Sequence, residues 1–369
     1  MSMKMLLDKT VSRASLRPAY AYLFAFCLGL GAHFAGLPLA WVLGPMVGSA
    51  TISMLGQTLY APQNLRRGGQ LIVGAKIGLN VTGGVLAIIA AWLPWMFATA
   101  AIAILLSAAL SVPLARYGRI DDKTAYFAMV PGGMSEMANL AVKAGAKAEP
   151  VAIAHALRVA MVVTIFPLLI IGFGDVDIGP SVKSASLSDY AFVPVLLAIA
   201  AAGAIFAGLV RFNNPWIIGS LIAVAAASSS GLVSATMPQI VFWAGQFLIG
   251  FTIGSRFTRS AVAELPRMAV VSVALIVFAG VVMFLVAFGL SSIGEIDLAT
   301  IVLATTIGGA PEMAITAEIL KLNVTLVIAF HLIRATIVNG FAGHIWAGLD
   351  RVGFFAAIGR IIAPVQKQN

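Results

Sequence analysis

Apolar stretches follow one another along the whole chain and are separated only by short polar segments. The first begins near residue 19, and others lie near residues 39–56, 69–85, 94–114 and 150–172. An α-helix needs about twenty apolar residues to cross about 30 Å of hydrocarbon. The pattern therefore predicts an all-α, polytopic membrane protein.

The composition strengthens this prediction. Of the 369 residues, 60% are hydrophobic and 10% are charged, whereas soluble domains carry about 25% charged residues because their surfaces face water. The net charge of +9 comes mostly from lysines and arginines at the ends of apolar stretches. Such positions set membrane topology, so we expect no direct nucleic-acid partner. The single cysteine, Cys27, excludes an intrachain disulfide.

The chain starts with a basic leader over residues 1–18. No convincing signal-peptidase site follows it, so the first apolar stretch is predicted to be an uncleaved membrane helix. Positive segments tend to stay in the cytoplasm. We therefore expect a multi-pass protein of the bacterial inner membrane, with the leader and the C-terminal segment, residues 350–369, both cytoplasmic.

Comparing the sequence with itself shows one internal repeat. The motif GGMSEMA, which starts at Gly132, returns as GGAPEMA at Gly308, an offset of 308 minus 132, or 176 residues. The same offset pairs His155 with His331, Arg158 with Arg334, Gln70 with Gln246 and Gly74 with Gly250. A register kept this long without a gap indicates duplication. We predict membrane repeats at 17–173 and 189–349, joined by a polar linker at 174–188.

The charged segments give each repeat a direction. With the leader in the cytoplasm, each half has five crossings and one broken or re-entrant element. An odd number of crossings makes the halves inverted copies, as in many secondary transporters. The predicted fold is therefore two inverted structural repeats with about ten transmembrane helices and two broken or re-entrant elements.

The two breaks coincide with paired glycines, Gly132 with Gly133 and Gly308 with Gly309. A non-helical segment at membrane depth survives only when it is buried in protein or lines a cavity. A new helix is expected to start just after each pair, where its positive end would stabilise a carboxylate. Glu136 and Glu312 occupy these places, so all six residues are candidates for binding a substrate or an ion. The alternative is that the glycines only allow close helix packing.

Two further pairs of residues belong to the candidate site. His155 and Arg158, like His331 and Arg334, are three residues apart and therefore share one helical face. The neighbouring helix could bring Glu136 towards Arg158 in the first half, with the equivalent pair in the second. Charges inside a membrane are expensive and default to functional candidates. The alternative is a structural ion pair that holds two helices together.

Lys76 breaks the symmetry of the repeat, because the second half has Thr252 at the equivalent position. A lysine in only one copy suggests a counter-charge for an anion, and the alternative is a side chain that snorkels to the interface. The four histidines offer no helix with two on one face. We therefore expect no metal site, no cofactor and no enzymatic activity.

The motifs AWVLGPM, which starts at Ala40, and PWIIGSL, which starts at Pro215, resemble the AbrB family of bacterial integral membrane proteins, together with the two GG…EMA motifs. The resemblance covers nearly the whole chain, and the family is itself a tandem duplication. Its members are labelled as ammonia monooxygenase or as AbrB family transcriptional regulator, but the histidine count argues against the first label. The resemblance supplies no catalytic residues.

These observations favour a secondary transporter of a small, anionic solute that is coupled to H⁺ or Na⁺. The alternative is a membrane-embedded regulator that acts indirectly on gene expression. The expected partners are the lipid bilayer and a small-molecule solute, and a homodimer is left open.

Overall fold

A computed structural model shows a helical chain. The structure describes residues 3–57, 59–81, 85–173, 186–233, 235–259, 265–293 and 296–362, and this part of the chain contains no β-strand. The all-α prediction is therefore confirmed. The helices of the first half are α1 (Met3–Phe34), α2 (Ala40–Met54), α3 (Gln63–Leu79), α4 (Val85–Gly118), α5 (Asp122–Met129), α6 (Met134–Lys143) and α7 (Ala148–Phe173). Those that follow are α8 (Leu187–Leu209), α9 (Pro215–Ser229), α10 (Gln239–Gly254), α11 (Pro266–Ser291), α12 (Leu298–Thr305), α13 (Ala310–Ile319), α14 (Val324–Arg351) and α15 (Phe354–Ile362).

Five of these helices are long and apolar enough to cross a membrane. They belong to α4, α7, α8, α11 and α14, and their apolar spans have 23 to 32 residues. About twenty residues suffice for a crossing, so these lengths and compositions are those of membrane helices. The helices α2, α9 and α10 and the part of α1 after Ala19 are also apolar but shorter.

The chain forms two compact units, and each unit takes helices from both halves of the sequence. The first contains Met1–Val81 and Gly179–Ser260, and the second contains Thr82–Ile178 and Ala261–Asn369. The first unit therefore holds α1–α3 with α8–α10, and the second holds α4–α7 with α11–α15. The boundaries of the compact units thus differ from those of the sequence repeats, because helices of one half pack on helices of the other.

Glycines bring the helices of the first unit into close contact. Helix α3 packs on α9, and α10 packs on α2. A Cβ atom added to Gly78 would lie 2.6 Å from the carbonyl oxygen of Leu221, and one added to Gly254 would overlap the carbonyl oxygen of Met46. Small residues allow membrane helices this close approach. Gly78 and Gly254 are 176 residues apart, so equivalent helices make equivalent contacts.

The core of the second unit surrounds α5. Tyr126 and Phe127 are fully buried, and the Tyr126 hydroxyl donates to the carbonyl oxygen of Ala342 at 3.0 Å. Trp346 of α14 stacks on Phe355 of α15 with 4.4 Å between ring centroids. The C-terminal helix is therefore anchored next to α5, which forms part of the candidate site.

Candidate functional site

The first Gly-Gly motif forms the tip of a helical hairpin. Helix α5 ends at Met129, residues 130–133 are not helical, and α6 starts at Met134. The backbone N–H of Lys147, which follows α6, donates to Thr124 Oγ1 in the first turn of α5 at 3.0 Å. The segment therefore returns to the place where it started, and the break lies at its far end.

A side-chain cap fixes the base of this hairpin. The Asp121 carboxylate accepts from the Thr124 backbone N–H at 2.8 Å and from the Thr124 hydroxyl at 2.7 Å. An N-cap aspartate satisfies N–H groups that the first turn leaves without helical partners. Burial raises the pKa of Asp121, but the hydrogen bonds from Thr124 outweigh this effect and hold the pKa below its usual value. Thr124 thus joins the start of α5 to the chain after α6.

The second Gly-Gly motif forms an equivalent hairpin from α12 and α13, with its break at residues 306–309. Asp297 accepts from the backbone N–H and the hydroxyl of Thr300, both at 2.7 Å. The Asn323 backbone N–H then donates to Thr300 Oγ1 at 3.2 Å. Pro311 lies in the first turn of α13, where a missing N–H is tolerated. Each of these base contacts repeats the first hairpin at the 176-residue offset.

A buried arginine and histidine hold the second break. Arg334 donates to the carbonyl oxygens of Thr306 at 2.6 Å and Gly308 at 2.7 Å. It also contacts His331 Nδ1 at 2.8 Å, and His331 Nε2 lies 2.9 Å from the carbonyl oxygen of Leu303. Both side chains come from α14, at most 5% exposed. They therefore bond the carbonyl groups at and just before the end of α12.

The first break is held by the equivalent pair from α7. Arg158 donates to the carbonyl oxygens of Met129 at 3.1 Å and Gly132 at 3.5 Å. It contacts His155 Nδ1 at 2.7 Å, and His155 Nε2 lies 3.0 Å from the carbonyl oxygen of Phe127. The contacts are somewhat longer than in the second hairpin, but the arrangement is the same.

These contacts explain how a helix can break in an apolar environment. The last turn of a helix leaves carbonyl groups without helical partners, and such groups need partners in protein when no water is present. A guanidinium also favours the negative end of the helix dipole. The sequence had suggested that Arg158 faces Glu136, whereas the described hydrogen bonds of Arg158 go to the broken backbone and to His155.

The same contacts fix the state of both histidines. A carbonyl oxygen can only accept a hydrogen bond, so Nε2 of His155 and of His331 must carry the proton. Nδ1 then accepts from the arginine, and the ring is neutral. Both nitrogens of each ring are therefore occupied. In the described residues, no group of three or more histidine, cysteine, aspartate or glutamate side chains is placed to hold a metal ion.

Each hairpin tip also contacts the helix that holds the other hairpin. The Gly133 backbone N–H donates to Asn339 Oδ1 of α14 at 3.2 Å. At the second tip, a Cβ atom added to Gly308 would lie 2.7 Å from Val162 Cγ1 of α7. The two arginines are close enough for the positive charge of Arg158 to act on Arg334. The structure therefore brings both breaks and both arginines into one region of the second unit.

The two glutamates lie in the first turns of α6 and α13, as the repeat predicts. A Cβ atom on Gly133 would overlap the Glu136 carboxylate, and one on Gly309 would overlap the Glu312 carboxylate. The glycines therefore leave room for each carboxylate to fold back over the helix start. The environments differ, because Glu136 is exposed and Glu312 is only 1% exposed.

Lys76 is in a different part of the structure from the other candidates. It lies half-buried in the last turn of α3, in the first unit. The sequence interpretation missed the residues at the hairpin bases, Asp121 with Thr124 and Asp297 with Thr300. Both pairs share the 176-residue offset, so the repeat itself could have identified them.

Comparisons with known proteins identify similar chains. A family model described as "Transition state regulatory protein AbrB" matches residues 11–347. The "Uncharacterized protein YhjN" of Bacillus subtilis (strain 168) is 28% identical over 327 residues, which cover 82% of this chain and 85% of that protein. The "Putative regulator AbrB" of Escherichia coli (strain K12) is 28% identical over 318 residues, 83% of this chain and 89% of that protein.

Proposed function

The chain belongs to the AbrB family, and we propose that it is a secondary transporter of a small, anionic solute, coupled to H⁺ or Na⁺, in the bacterial inner membrane. The observation that carries this proposal is the pair of helical hairpins whose breaks are held by Arg158 and Arg334. Irregular backbone at membrane depth occurs where it is buried in protein or lines a water-filled cavity. Transporters use such discontinuous helices to form their substrate sites.

In this proposal the chain crosses the membrane about ten times and carries two re-entrant hairpins, and its halves are inverted copies. Both termini are cytoplasmic. The hydrogen bonds between Lys147 and Thr124 and between Asn323 and Thr300 support the re-entrant form, since they join the two ends of each hairpin. The lipid bilayer and the solute are the partners, with a homodimer left open and no direct nucleic-acid contact.

The charges of the hairpins support an anionic solute. The starts of α6 and α13 are positive helix ends, which favour negative charge. The two buried arginines add full positive charges nearby. We propose that Gly132, Gly133, Gly308 and Gly309 let the solute approach the backbone, as glycine permits. Lys76 stays a proposed counter-charge in the first unit.

Glu136 and Glu312 are the proposed carriers of the coupling ion. Each lies at the start of a half-helix that would also attract the anion, so an ionised glutamate would repel the solute. A proton or a sodium ion bound by the glutamate removes this repulsion. Binding of the anion and of the cation would then favour each other, as coupled transport requires.

The proposal is tested with purified protein in liposomes. An imposed proton gradient or sodium gradient should drive uptake of small anions from a panel of labelled organic acids and inorganic oxyanions. Glu312→Gln should abolish the driven uptake, whereas Gly343→Ala, where an added Cβ atom meets nothing within 4 Å, should not. Uptake that neither gradient stimulates, or no uptake of any solute by folded protein, would contradict the proposal.

The alternative is a membrane-embedded regulator with an indirect effect on gene expression. It is favoured by the printed name of the Escherichia coli relative, "Putative regulator AbrB". A regulator of this kind should need a partner protein, whereas a transporter should work alone in liposomes. Neither proposal involves an enzyme, and ammonia oxidation is not proposed because both ring nitrogens of His155 and His331 are already bonded.

A further inference from the structure

An apolar cavity adjoins the second hairpin tip. It has a volume of about 300 Å³ and lies between α7 and α11, with Val162 and Phe166 on one side and Gly280 on the other. Ile307 of the break also lines it. Ile307 lies between Thr306 and Gly308, the two residues whose carbonyl oxygens Arg334 binds. The cavity therefore adjoins the segment that carries the arginine contacts.

The room in this cavity depends on Gly280. The repeat offset of 176 residues pairs Gly280 with Ile104 of α4, and Ile104 is buried with 5% exposure. A Cβ atom on Gly280 would only touch Phe166, at 3.8 Å. The first half thus carries a large side chain at the position where the second half leaves space.

The buried charges next to the cavity do not cancel. Among the described residues, the buried side chains with a full charge are Arg158, Arg334 and Glu312. Both histidines are neutral, so two arginines and one glutamate leave one positive charge over. Uncompensated buried charge is strongly unfavourable. The half-helix ends offset part of this excess, and one bound anion would offset the rest.

Each arginine also has a hydrogen-bond donor left over. The Nε atoms of Arg158 and Arg334 are buried and have no hydrogen-bond partner in the described part of the chain. A buried donor without a partner costs roughly 1–3 kcal/mol. A carboxylate has two oxygens that accept hydrogen bonds, so one carboxylate can serve both arginines.

We propose that the solute is a small monocarboxylate with an apolar body, whose carboxylate lies at the two arginines and whose apolar part fills the cavity at Gly280. This inference rests on the proposed function and names its substrate class. The apolar lining matches the usual build of small-molecule sites, in which a few polar groups fix the orientation of the ligand.

The test uses the full chain in lipid nanodiscs and a series of straight-chain monocarboxylates from acetate to octanoate, with the primary amides of the same lengths as neutral controls. Binding is followed by the shift of the thermal unfolding midpoint and by calorimetry. Each added methylene should tighten binding about fourfold until the cavity is full. The amides should bind at least tenfold more weakly, which also corrects for partition into lipid. A dicarboxylate such as succinate should bind more weakly than butanoate.

Two variants of α11 then examine the cavity. Gly280→Ile copies the residue of the first half and should remove the gain from chain length while acetate binding stays the same. Gly289→Ile makes the same change on the same helix, where an added Cβ atom meets nothing within 4 Å, and should bind the whole series normally.

Equal binding of amides and carboxylates would overturn the inference. So would an unchanged series in Gly280→Ile, because the cavity would then hold only a lipid acyl chain. Carboxylate binding without uptake into liposomes would contradict the transporter proposal but leave this inference intact. Uptake of another solute by protein that binds no carboxylate would do the reverse.

Discussion

Arg334 donates a hydrogen bond to the carbonyl oxygen of Gly308 at 2.7 Å, so the side chain of one long helix closes the break at the tip of a hairpin. The same guanidinium bonds Thr306. Without these contacts, two buried carbonyl groups would have to find other partners in an environment that offers little water. The arginine is therefore a structural requirement of the hairpin as well as a candidate for binding the solute.

Removing either arginine should destabilise the protein. Arg334→Gln leaves carbonyl groups at the break without partners, and each such group costs roughly 1–3 kcal/mol. The amount of folded Arg334→Gln and Arg158→Gln in detergent should fall, with a lower unfolding midpoint, as measured by size-exclusion chromatography and thermal unfolding. Arg334→Lys keeps the charge but loses the forked geometry, so it should restore stability only in part.

The partner of Arg158 can be identified by a second change. Because its described hydrogen bonds go to the backbone and to His155, adding Glu136→Gln to Arg158→Gln should not restore stability. Recovery in the double variant would show that a buried pair with Glu136 holds the hairpin instead.

The two glutamates should differ in their structural effects and agree in their functional effects. Glu136 is exposed, so Glu136→Gln should change the free energy of unfolding by no more than about 0.5 kcal/mol. Glu312 is buried, so Glu312→Gln should change it more. Both variants should lose solute uptake driven by a proton or sodium gradient. Normal driven uptake by either folded variant would remove that residue from the coupling site.

The base of each hairpin should depend on a threonine hydroxyl. Thr124→Val removes the group that bonds Asp121 and the Lys147 backbone N–H, and loss of such capping contacts costs about 1–2 kcal/mol. Thr124→Ser keeps the hydroxyl and should retain most of the stability. Thermal unfolding compares the two. Equal stability of the valine and serine variants would mean that the hydroxyl does not hold the hairpin closed.

The sequence was informative where the physics is local. Paired glycines predicted the breaks, and α6 starts at Met134, within one residue of the expected start near Ser135. The spacing of His331 and Arg334 placed both on one face. Their partners could not be predicted, because Leu303 and Gly308 come close only through the packing of α12 on α14. The compact units were not predicted either, since α3 packs on a helix far away in the sequence.

Cysteine labelling tests the proposed inversion of the two halves. In a background with Cys27→Ser, single cysteines replace Lys143, which ends α6, and Lys321, which follows α13; both positions are exposed. Inverted halves place the bases of the two hairpins on opposite membrane faces, so a membrane-impermeant maleimide should label one cysteine from the periplasm and the other only after lysis. A cysteine at Lys123 should behave like that at Lys143, because the first hairpin is proposed to return to its starting side. Labelling of both Lys143 and Lys321 cysteines from one face would contradict inversion. The acidic position suggested by the linker, Asp177, lies outside the described residues.

Close helix packing in the first unit should make Gly78 intolerant of even one added methyl group. In Gly78→Ala the new Cβ atom would lie 2.6 Å from the carbonyl oxygen of Leu221 and 2.9 Å from Val224 Cβ. Neither atom can move without shifting a helix, and overpacking of this kind costs about 1–3 kcal/mol. This cost should exceed the gain of up to about 1 kcal/mol that alanine gives over glycine within a helix. Gly31→Ala in α1 is the matched control, because its Cβ atom would meet nothing within 4 Å, and it should be neutral or stabilising. A lower unfolding midpoint for Gly78→Ala alone supports the packing of α3 on α9, whereas equal midpoints would show that the two helices do not touch there.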